Sequence, residues 1–296
     1  MRQTKLGLIG TGRWGSRYLD TVGRLWPDGA VLVSDTAGGA GAGRGDAVRW
    51  DSPAALIRNA AVDGVIIASP AATHYAITAL ALDAALPVLV EKPVALSLDE
   101  TRSIRVLAAS RRSTVMVGHQ HMHAPAFQEL RERTAGRAVA AITSAAGGDG
   151  PVRADCDVLW DYGPHDIAMA LGLLGGEDPV TEAFARCEVL GPGRQTWRVG
   201  IGVGATRIRC RFTNSATVKH HRFGVRLADG DEFLYDDFAA HRLTFGGTPI
   251  RIASTLPLDR QIQAFVAAVR GDGADSSGSD LALSVRVAEV LAGLSA

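Results

Sequence analysis

A glycine-rich turn near the N-terminus, Gly10–Gly15 with the sequence GTGRWG, constrains the fold of this chain more than any other feature. It follows an apolar run, Leu6–Ile9, of the kind that forms a buried strand of a parallel sheet. After the turn, apolar side chains recur at helical spacing from Trp14 to Leu25. The sequence therefore predicts a strand, a tight glycine turn and a helix in direct succession.

In this order of elements, each of the three glycines has a specific structural role. Gly10 permits the tight turn, Gly12 lets the backbone approach a pyrophosphate, and Gly15 lets the helix pack closely on the strand. The unpaired N–H groups and the positive end of the helix dipole then face the phosphates. An ordinary glycine turn is the alternative, but both flanks favour dinucleotide binding. The residues expected to contact the cofactor here are Gly10, Thr11, Gly12, Arg13, Trp14 and Gly15.

An acidic residue, Asp35, comes just after the second predicted strand, Val31–Val33, and roughly 20 residues after the glycines. Its carboxylate can accept hydrogen bonds from the hydroxyls of the adenine ribose and would repel a 2′-phosphate. Thr36 and Ala37 supply no neighbouring cation. The sequence favours NAD and leaves NADP possible. Alternatively, Asp35 only marks the end of the strand and contacts no cofactor.

Further buried strands are predicted at Val65–Ile67, Pro87–Val90 and Thr114–Val117, separated by helices or by the glycine-rich link Gly38–Gly45. Strands that alternate with helices predict right-handed crossovers and a doubly wound parallel sheet of the α/β class. Ligands bind at the carboxyl edge of such sheets. We therefore predict a dinucleotide-binding domain over residues 1–120.

Beyond residue 120 the pattern changes to segments with alternating polarity. Alternation with short turns between the segments predicts a mostly antiparallel sheet packed on helices, and hence an α+β domain over residues 121–296 with a cleft facing the first domain. The predicted strands are 139–144, 183–190, 206–212, 218–227 and 232–236, and the predicted helices are 125–133, 164–174, 258–269 and 281–294.

Bulk composition excludes several classes of function. The charges of the 31 basic and 31 acidic residues cancel, so the sequence shows no net positive charge that would favour binding to nucleic acid or to a membrane surface. The three cysteines are widely spaced and read as reduced, buried thiols of a cytoplasmic protein. No apolar stretch is long enough to span a bilayer, and the first strand begins too early for a signal peptide.

Two motifs occur in order behind the glycine turn: Val90–Pro93 (VEKP) and Arg153–Asp166 (RADCDVLWDYGPHD). Together with GTGRWG and Ala68–His74 (ASPAATH), they resemble the glucose–fructose oxidoreductase/inositol dehydrogenase family (Gfo/Idh/MocA). The resemblance covers nearly the whole chain and implies a Rossmann domain followed by a substrate-binding and oligomerisation domain. The WDYGPHDI form is most similar to a branch with sugar and sugar-nucleotide dehydrogenases.

The resemblance also implies the site residues. Lys92 is expected to act as the catalytic acid/base or its assistant, and Asp161 and His165 to complete the catalytic set. Lysine in a desolvated site and histidine can both exchange a proton near neutral pH, as hydride transfer to or from nicotinamide requires. Asp161 and His165 would share a face if helical. The further cofactor contacts expected are Ser69, Pro70, His74, Glu91, Lys92, Pro93, Gln120 and Trp160.

Two features of the sequence affect the substrate and metal predictions. Ala168 stands where many members have a second aspartate, which makes a polyol held by that aspartate, and inositol in particular, less attractive. His119, His121 and His123 alternate as on one face of a strand, but no adjacent acid or cysteine completes a ligand set and the family is metal-free. We therefore expect no metal, and we expect His220 and His221 to be exposed.

The sequence thus predicts an NAD(P)-dependent oxidoreductase that interconverts a secondary alcohol and a ketone on a sugar, sugar nucleotide or cyclitol. A bacterial, high-GC origin is suggested by the 28 arginines against three lysines. Three alternatives remain open: an imine reductase, a redox-assisted glycosidase, and a non-enzymatic NAD-binding sensor. A homo-oligomer formed through the second-domain sheet is implied by the resemblance alone.

Overall fold

The computed structural model describes residues 4–27, 30–35, 48–59, 61–149, 152–153, 156–175, 178–272 and 281–295. The predicted link Gly38–Gly45 and the pair Thr36-Ala37 lie outside these ranges. Across the described ranges, no helix combines the length and apolarity that a membrane crossing requires. The chain forms two compact units: unit 1 comprises Met1–His119 and Leu258–Val285, and unit 2 comprises Gln120–Pro257 and Arg286–Ala296.

Unit 1 contains a six-stranded sheet in which every strand pair is parallel. The strand order β3-β2-β1-β4-β5-β6 is that of a doubly wound dinucleotide-binding fold. The predicted fold class is therefore confirmed, and one short edge strand, β3, escaped prediction. The strands are β1 (Lys5–Ile9), β2 (Ala30–Ser34), β3 (Val48–Trp50), β4 (Gly64–Ile67), β5 (Val88–Val90) and β6 (Val115–Val117).

Helices cover both faces of this sheet. One face buries Leu56, Ile77 and Ile104 of α2, α3 and α4. Ser52 accepts a hydrogen bond from the Ala55 N–H (3.1 Å) and Ser97 accepts one from the Glu100 N–H (3.2 Å), so a serine hydroxyl caps the start of α2 and of α4. The helices of this unit are α1 (Arg13–Leu25), α2 (Pro53–Asn59), α3 (His74–Asp83), α4 (Leu98–Arg111) and α7 (Pro257–Arg270).

Helix α7 packs in unit 1, whereas the sequence placed everything after residue 120 in the second domain. Its Ile262, Phe265 and Val266 recur at helical spacing and are buried against β1 and α1 in the second core cluster of the sheet. That sheet face would otherwise be covered by α1 alone. Hydrophobic burial therefore returns a C-terminal helix to the N-terminal unit.

Unit 2 contains an eight-stranded sheet in the order β14-β13-β12-β11-β7-β10-β9-β8. Only β7 and β10 pair in parallel, so the predicted mostly antiparallel sheet is confirmed. Strands β9, β13 and β14 were not predicted. The strands are β7 (Val139–Gly147), β8 (Val180–Gly191), β9 (Arg194–Val203), β10 (Thr206–Thr213), β11 (His220–Leu227), β12 (Glu232–Asp236), β13 (Leu243–Phe245) and β14 (Thr248–Pro249).

Helix α6 (Val158–Leu173) carries the C-terminal part of the motif Arg153–Asp166 and packs on β7, β9 and β10. The sequence placed its start at Pro164, but it begins six residues earlier. Asp157 accepts a hydrogen bond from the Trp160 N–H (2.8 Å) and caps the true start, and Pro164 is accommodated inside the helix. The remaining helical elements are α5 (Pro125–Thr134), α8 (Leu281–Ser295), which belongs partly to each unit, and the 3-10 turns Ala71–Thr73 and Gln120–His123.

Candidate functional site

The glycine turn of unit 1 has the geometry that its sequence predicts. Gly10 has φ +91°, and a Cβ atom there would lie 2.6 Å from the backbone nitrogen of Ser69. A Cβ on Gly15 would overlap the carbonyl oxygen of Gly10. Gly10 is therefore required by its backbone conformation, and Gly15 is required by the close packing of α1.

Gly12 is different, because a Cβ there would meet no protein atom within 4 Å. The residue is the N-cap of α1, where no side chain caps the helix and the first turn holds no acidic residue. The start of α1 thus keeps its positive dipole end and N–H donors uncovered by its own side chains. This turn fits the pyrophosphate of a dinucleotide, which binds at such helix starts.

Asp35 lies directly against the glycine turn. Its Oδ2 accepts hydrogen bonds from the Thr11 backbone N–H (3.3 Å) and from the Thr11 hydroxyl. The Gly10 N–H donates to the carbonyl of Ser34 (2.8 Å), which ties the turn to the end of β2. The carboxylate is therefore held where it was expected, at the end of β2 and beside the turn; its contact with a ribose remains a prediction.

The two bulky residues of the turn lie at the surface. Arg13 is exposed and Trp14 is half-buried. The guanidinium carbon of Arg17 stands 4.7 Å from the centre of the Trp14 ring, a cation–π contact one turn into α1. Their predicted contacts with a cofactor stay predictions.

His74 joins two of the predicted cofactor loops. Its ring is buried, with Nδ1 2.7 Å from the carbonyl oxygen of Pro93 and Nε2 2.9 Å from that of Ser69. The Ser69 hydroxyl lies 2.7 Å from that of Thr73, and Pro70 is exposed. His74 therefore fixes the position of the β4 and β5 loops relative to each other, a role that the sequence did not predict for it.

Glu91 and Lys92 follow β5, and the Lys92–Pro93 peptide bond is cis. Glu91 is buried and accepts hydrogen bonds from the Tyr18 hydroxyl (2.7 Å) and from the Lys92 backbone N–H (3.3 Å). Burial, followed by the Glu91 charge, raises the pKa of Tyr18 well above its ordinary value. Glu91 therefore holds a tyrosine hydroxyl of α1 and the backbone of its neighbour, and its predicted contact with a cofactor stays a prediction. Lys92 itself is half-buried.

In unit 2, Asp161 and His165 lie four residues apart on α6, as expected for residues that share a helix face. Asp161 forms an ion pair with Arg153 (3.0 Å), a partner that the sequence did not predict. Trp160 is half-buried and its indole N–H lies 3.4 Å from the Ser295 hydroxyl of α8. The predicted contact of Trp160 with a cofactor stays a prediction.

His165 is half-buried and stands edge-on to His121, with ring centroids 4.9 Å apart. His121 lies in the 3-10 turn that begins at Gln120, so the expected strand with alternating histidines is absent there. The ring of His121 also contacts His221 of β11, at 4.3 Å between centroids. Three histidines from separate elements therefore meet in one place.

His221 corrects the sequence prediction, which placed it at the surface: the residue is 6% exposed. Its Nε2 lies 3.0 Å from Oδ1 of Asp166, which also accepts a hydrogen bond from the Ser144 hydroxyl. Burial lowers the pKa of the His221 imidazole, but Asp166, with smaller contributions from Asp237 and Asp236, outweighs burial and raises that pKa. The physical reason for the burial is the alternation of β11, which turns His221 to the same face as Phe223.

Asp237 completes this arrangement just after β12. The Tyr235 hydroxyl donates to Asp237 Oδ1 (2.9 Å), and Arg242 contacts the same oxygen (3.0 Å). His121 Nδ1 lies 3.4 Å from the Tyr235 hydroxyl and 3.9 Å from Asp237 Oδ2. We refer to His121, His165, Asp166, His221, Tyr235 and Asp237 as the histidine cluster.

Sequence reasoning missed most of this cluster. Asp166 adjoins His165 in the motif, and strict alternation along His220–Leu227 could have indicated that His221 faces inward. No local signal could have joined His121 to Tyr235, because 114 residues separate them. Of the predicted catalytic residues, Lys92 lies in unit 1, and Asp161 and His165 lie in unit 2.

Comparisons with known proteins agree with the observed fold. Residues 4–119 match the family model GFO_IDH_MocA, described as an oxidoreductase family with an NAD-binding Rossmann fold. A crystal structure of a protein from Magnetospirillum magnetotacticum superimposes with a TM-score of 0.87 at 28% identity, covering 99% of this chain and all of the other.

Two curated relatives share sequence over part of their length. UDP-N-acetylglucosamine 3-dehydrogenase of Acidithiobacillus ferrooxidans is 33% identical over 121 residues, which is 41% of this chain and 38% of the relative. Inositol 2-dehydrogenase 1 of Saccharopolyspora erythraea is 32% identical over 186 residues, 60% of this chain and 50% of the relative. The matched segments thus span half or less of these relatives.

Proposed function

Because the chain belongs to the Gfo/Idh/MocA family of oxidoreductases with an NAD-binding Rossmann fold, we propose that it is a dehydrogenase. In this proposal it interconverts a secondary alcohol and a ketone on a sugar, sugar nucleotide or cyclitol. The single observation that carries the proposal is the glycine turn. There, Gly10 and Gly15 are required by the backbone, and the position of Gly12 is open to a ligand.

The residues of unit 1 that would hold the dinucleotide lie at the carboxyl ends of β1, β2, β4 and β5. The start of α1 would receive the pyrophosphate, and Asp35 would accept the ribose hydroxyls. When bound, the nicotinamide would accept or supply the hydride. His74 would keep the Ser69 and Pro93 loops at a fixed separation, because each of its ring nitrogens contacts a carbonyl oxygen of one loop.

Proton transfer must accompany hydride transfer, because the substrate oxygen gains or loses a proton in the same reaction. We assign this proton to Lys92 and His165, whose side chains both exchange protons under physiological conditions in suitable surroundings. Asp161 would orient the substrate or the His165 ring. The ion pair with Arg153 supports that assignment, because it restrains the Asp161 carboxylate.

The substrate class follows from the names of relatives and is part of the proposal. One relative is named for a sugar nucleotide and another for inositol. Ala168 provides no carboxylate one turn after His165, so a substrate hydroxyl has no acidic acceptor at that position. This difference favours a sugar or sugar nucleotide over inositol.

The test is turnover with NAD(H) on a panel of sugars, sugar nucleotides and cyclitols. We expect Lys92→Ala to bind NADH as the wild type does and to lose at least about 100-fold in kcat, the usual contribution of an acid/base group. Lys219→Ala is the matched control, since Lys219 lies at the surface beside Phe238. Equal turnover in Lys92→Ala and wild type would contradict the assignment of Lys92.

The same panel separates the alternatives. Reduction of imines with no reaction on carbonyls would identify an imine reductase. Glycoside hydrolysis without net oxidation of added NADH would identify a redox-assisted glycosidase. Tight NADH binding with no reaction of either kind would favour a sensor, and each of these outcomes would replace the dehydrogenase proposal.

We further propose that copies of the chain associate through the sheet of unit 2. Edge strand β8 exposes large apolar side chains, with Phe184 63% and Val189 71% exposed, and such surfaces are typical of interfaces. Phe184→Glu is expected to yield monomers in light scattering, whereas Val106→Glu on α4, equally exposed at 70%, should leave the mass unchanged. A monomeric wild type would contradict this proposal.

A further inference from the structure

We propose that His121, His221 and Asp237 form a binding site for a divalent transition-metal ion, of which Zn²⁺ is the expected representative. One ring nitrogen of each histidine and one carboxylate oxygen of Asp237 lie within 4.8 Å of one another. All three residues belong to unit 2: His121 lies in the 3-10 turn Gln120–His123, His221 lies on β11, and Asp237 follows the end of β12. The inference is independent of the dehydrogenase proposal.

The separations are compatible with coordination. Three atoms at the corners of a triangle with 4.8 Å sides lie about 2.8 Å from its centre, and Zn²⁺ holds such ligands at about 2.0–2.2 Å. Each ligand atom would therefore move inward by less than about 1 Å. Two imidazoles and one carboxylate leave a fourth tetrahedral position for water or another ligand.

His221 is prepared for this role by its own surroundings. Its Nε2 is held at 3.0 Å by Asp166, whose Oδ1 is in turn bonded by the Ser144 hydroxyl. Its Nδ1 is buried and has no hydrogen-bond partner within the described ranges of the chain. A carboxylate that orients one nitrogen of a histidine while the other nitrogen binds metal is the usual second layer of a zinc site.

Asp237 is also restrained at one oxygen. Tyr235 and Arg242 both donate to Oδ1, and Oδ2 is the oxygen that faces His121, at 3.9 Å from its Nδ1. The carboxylate is thus fixed in orientation without using Oδ2 for these bonds. Restrained ligands bind metal more tightly, because less side-chain entropy is lost on coordination.

The donor types select the kind of ion. Imidazole nitrogens suit Zn²⁺, Cu²⁺ and Ni²⁺, whereas Mg²⁺ and Ca²⁺ prefer oxygen ligands only. The carboxylates of Asp166 and Asp237 supply two negative charges and Arg242 supplies one positive charge, so a cation is electrostatically favoured in this surrounding. The ring of His121 also touches that of His165, which places the metal beside a proposed catalytic residue.

The experiment is calorimetric titration of the full chain, without a polyhistidine tag, with ZnCl₂. The wild type is expected to bind one equivalent, and His121→Ala and Asp237→Asn to bind at least about 10-fold more weakly. The matched controls are His220→Ala, which removes an imidazole from the other face of β11 next to His221, and Asp236→Asn, which removes the carboxylate one residue before Asp237. Their affinities should equal that of wild type. Asp237→Asn keeps an acceptor for Tyr235 and Arg242, so its fold is expected to persist.

Co²⁺ provides a second readout that does not depend on activity. The wild type should develop the intense visible absorption of four-coordinate Co²⁺, and Asp237→Asn should not. Failure of the wild type to bind a stoichiometric Zn²⁺ would overturn the proposal. Equal Zn²⁺ affinity in wild type, His121→Ala and Asp237→Asn would overturn it as well, because the ion would then bind elsewhere.

Discussion

The glycine turn of unit 1 and the histidine cluster of unit 2 are built in opposite ways. The turn is a continuous segment of six residues whose shape follows from backbone sterics at Gly10 and Gly15. The cluster brings together side chains from the Gln120 turn, α6, β11 and the end of β12, and one of its contacts joins residues 114 positions apart. The turn requires glycine, which has no side chain, whereas the cluster consists of side chains that contact and hydrogen-bond one another.

This difference predicts how each region fails. Removing a charge from the cluster should damage the stability of unit 2, because its buried groups lose their compensation. A glycine-to-alanine substitution at Gly10 or Gly15 should lower stability, because the added methyl group collides with the backbone. At Gly12 it should mainly weaken ligand binding. The following predictions run from the largest expected loss of stability to the smallest.

Asp166→Ala is expected to have the largest effect. The substitution leaves His221 and Ser144 buried without their shared acceptor, and the free energy of unfolding should fall by about 3–5 kcal/mol. Urea denaturation measures this change. The control is Asp83→Ala, which breaks an ion pair with Arg111 that is exposed on both sides and should cost no more than about 1 kcal/mol. If Asp166→Ala lowered the free energy of unfolding no more than the control does, the hydrogen bonds of Asp166 to His221 and Ser144 would not stabilise unit 2.

Gly10→Ala should cost more than about 2 kcal/mol, because a positive φ is unfavourable for alanine and the new Cβ would also collide with the backbone of Ser69. Gly136→Ala separates these two causes. Gly136 also has a positive φ, of +73°, but a Cβ there meets no atom within 4 Å, so only the conformational cost of about 1–2 kcal/mol applies. Thermal unfolding of the two variants should rank Gly10→Ala as the less stable, and the reverse order would refute the steric argument.

Gly12→Ala should affect cofactor binding more than stability. The free energy of unfolding should change by no more than about 1 kcal/mol, the cost of a poorer N-cap, because the added Cβ meets no protein atom. Affinity for NADH should nevertheless fall about 10-fold or more, which corresponds to about 1.4 kcal/mol, because the Cβ would occupy space next to the pyrophosphate. Unchanged affinity would indicate that no phosphate approaches this turn.

Arg153→Ala should have the smallest effect on stability. The Arg153 and Asp161 side chains are 34% and 26% exposed, and solvent weakens such a pair to about 1 kcal/mol or less. If the ion pair restrains Asp161 for catalysis, kcat should fall although the unfolding curve barely shifts. A loss of more than about 2 kcal/mol in denaturation would show that the pair has a structural role instead.

The comparison also explains what could be predicted from the sequence. Local rules were sufficient for the glycine turn and for the placement of His165 on a helix. They failed where packing between distant segments decides the outcome. Helix α7 packs on a sheet whose strands lie more than 100 residues before it in the sequence. Strand β11 directs His221 inward, where its ring contacts Asp166. The start of α6 was also misplaced, because Pro164 resembles a helix start more than Asp157 does.

The most direct test of the central claim is a fluorescence titration of the purified chain with NADH and with NADPH. The glycine turn and Asp35 predict saturable binding of NADH, with NADPH bound more weakly because of its 2′-phosphate. Equal or tighter binding of NADPH would contradict the role given to Asp35. If neither nucleotide bound saturably, the account of unit 1 as a dinucleotide-binding unit would be contradicted, and the dehydrogenase proposal with it.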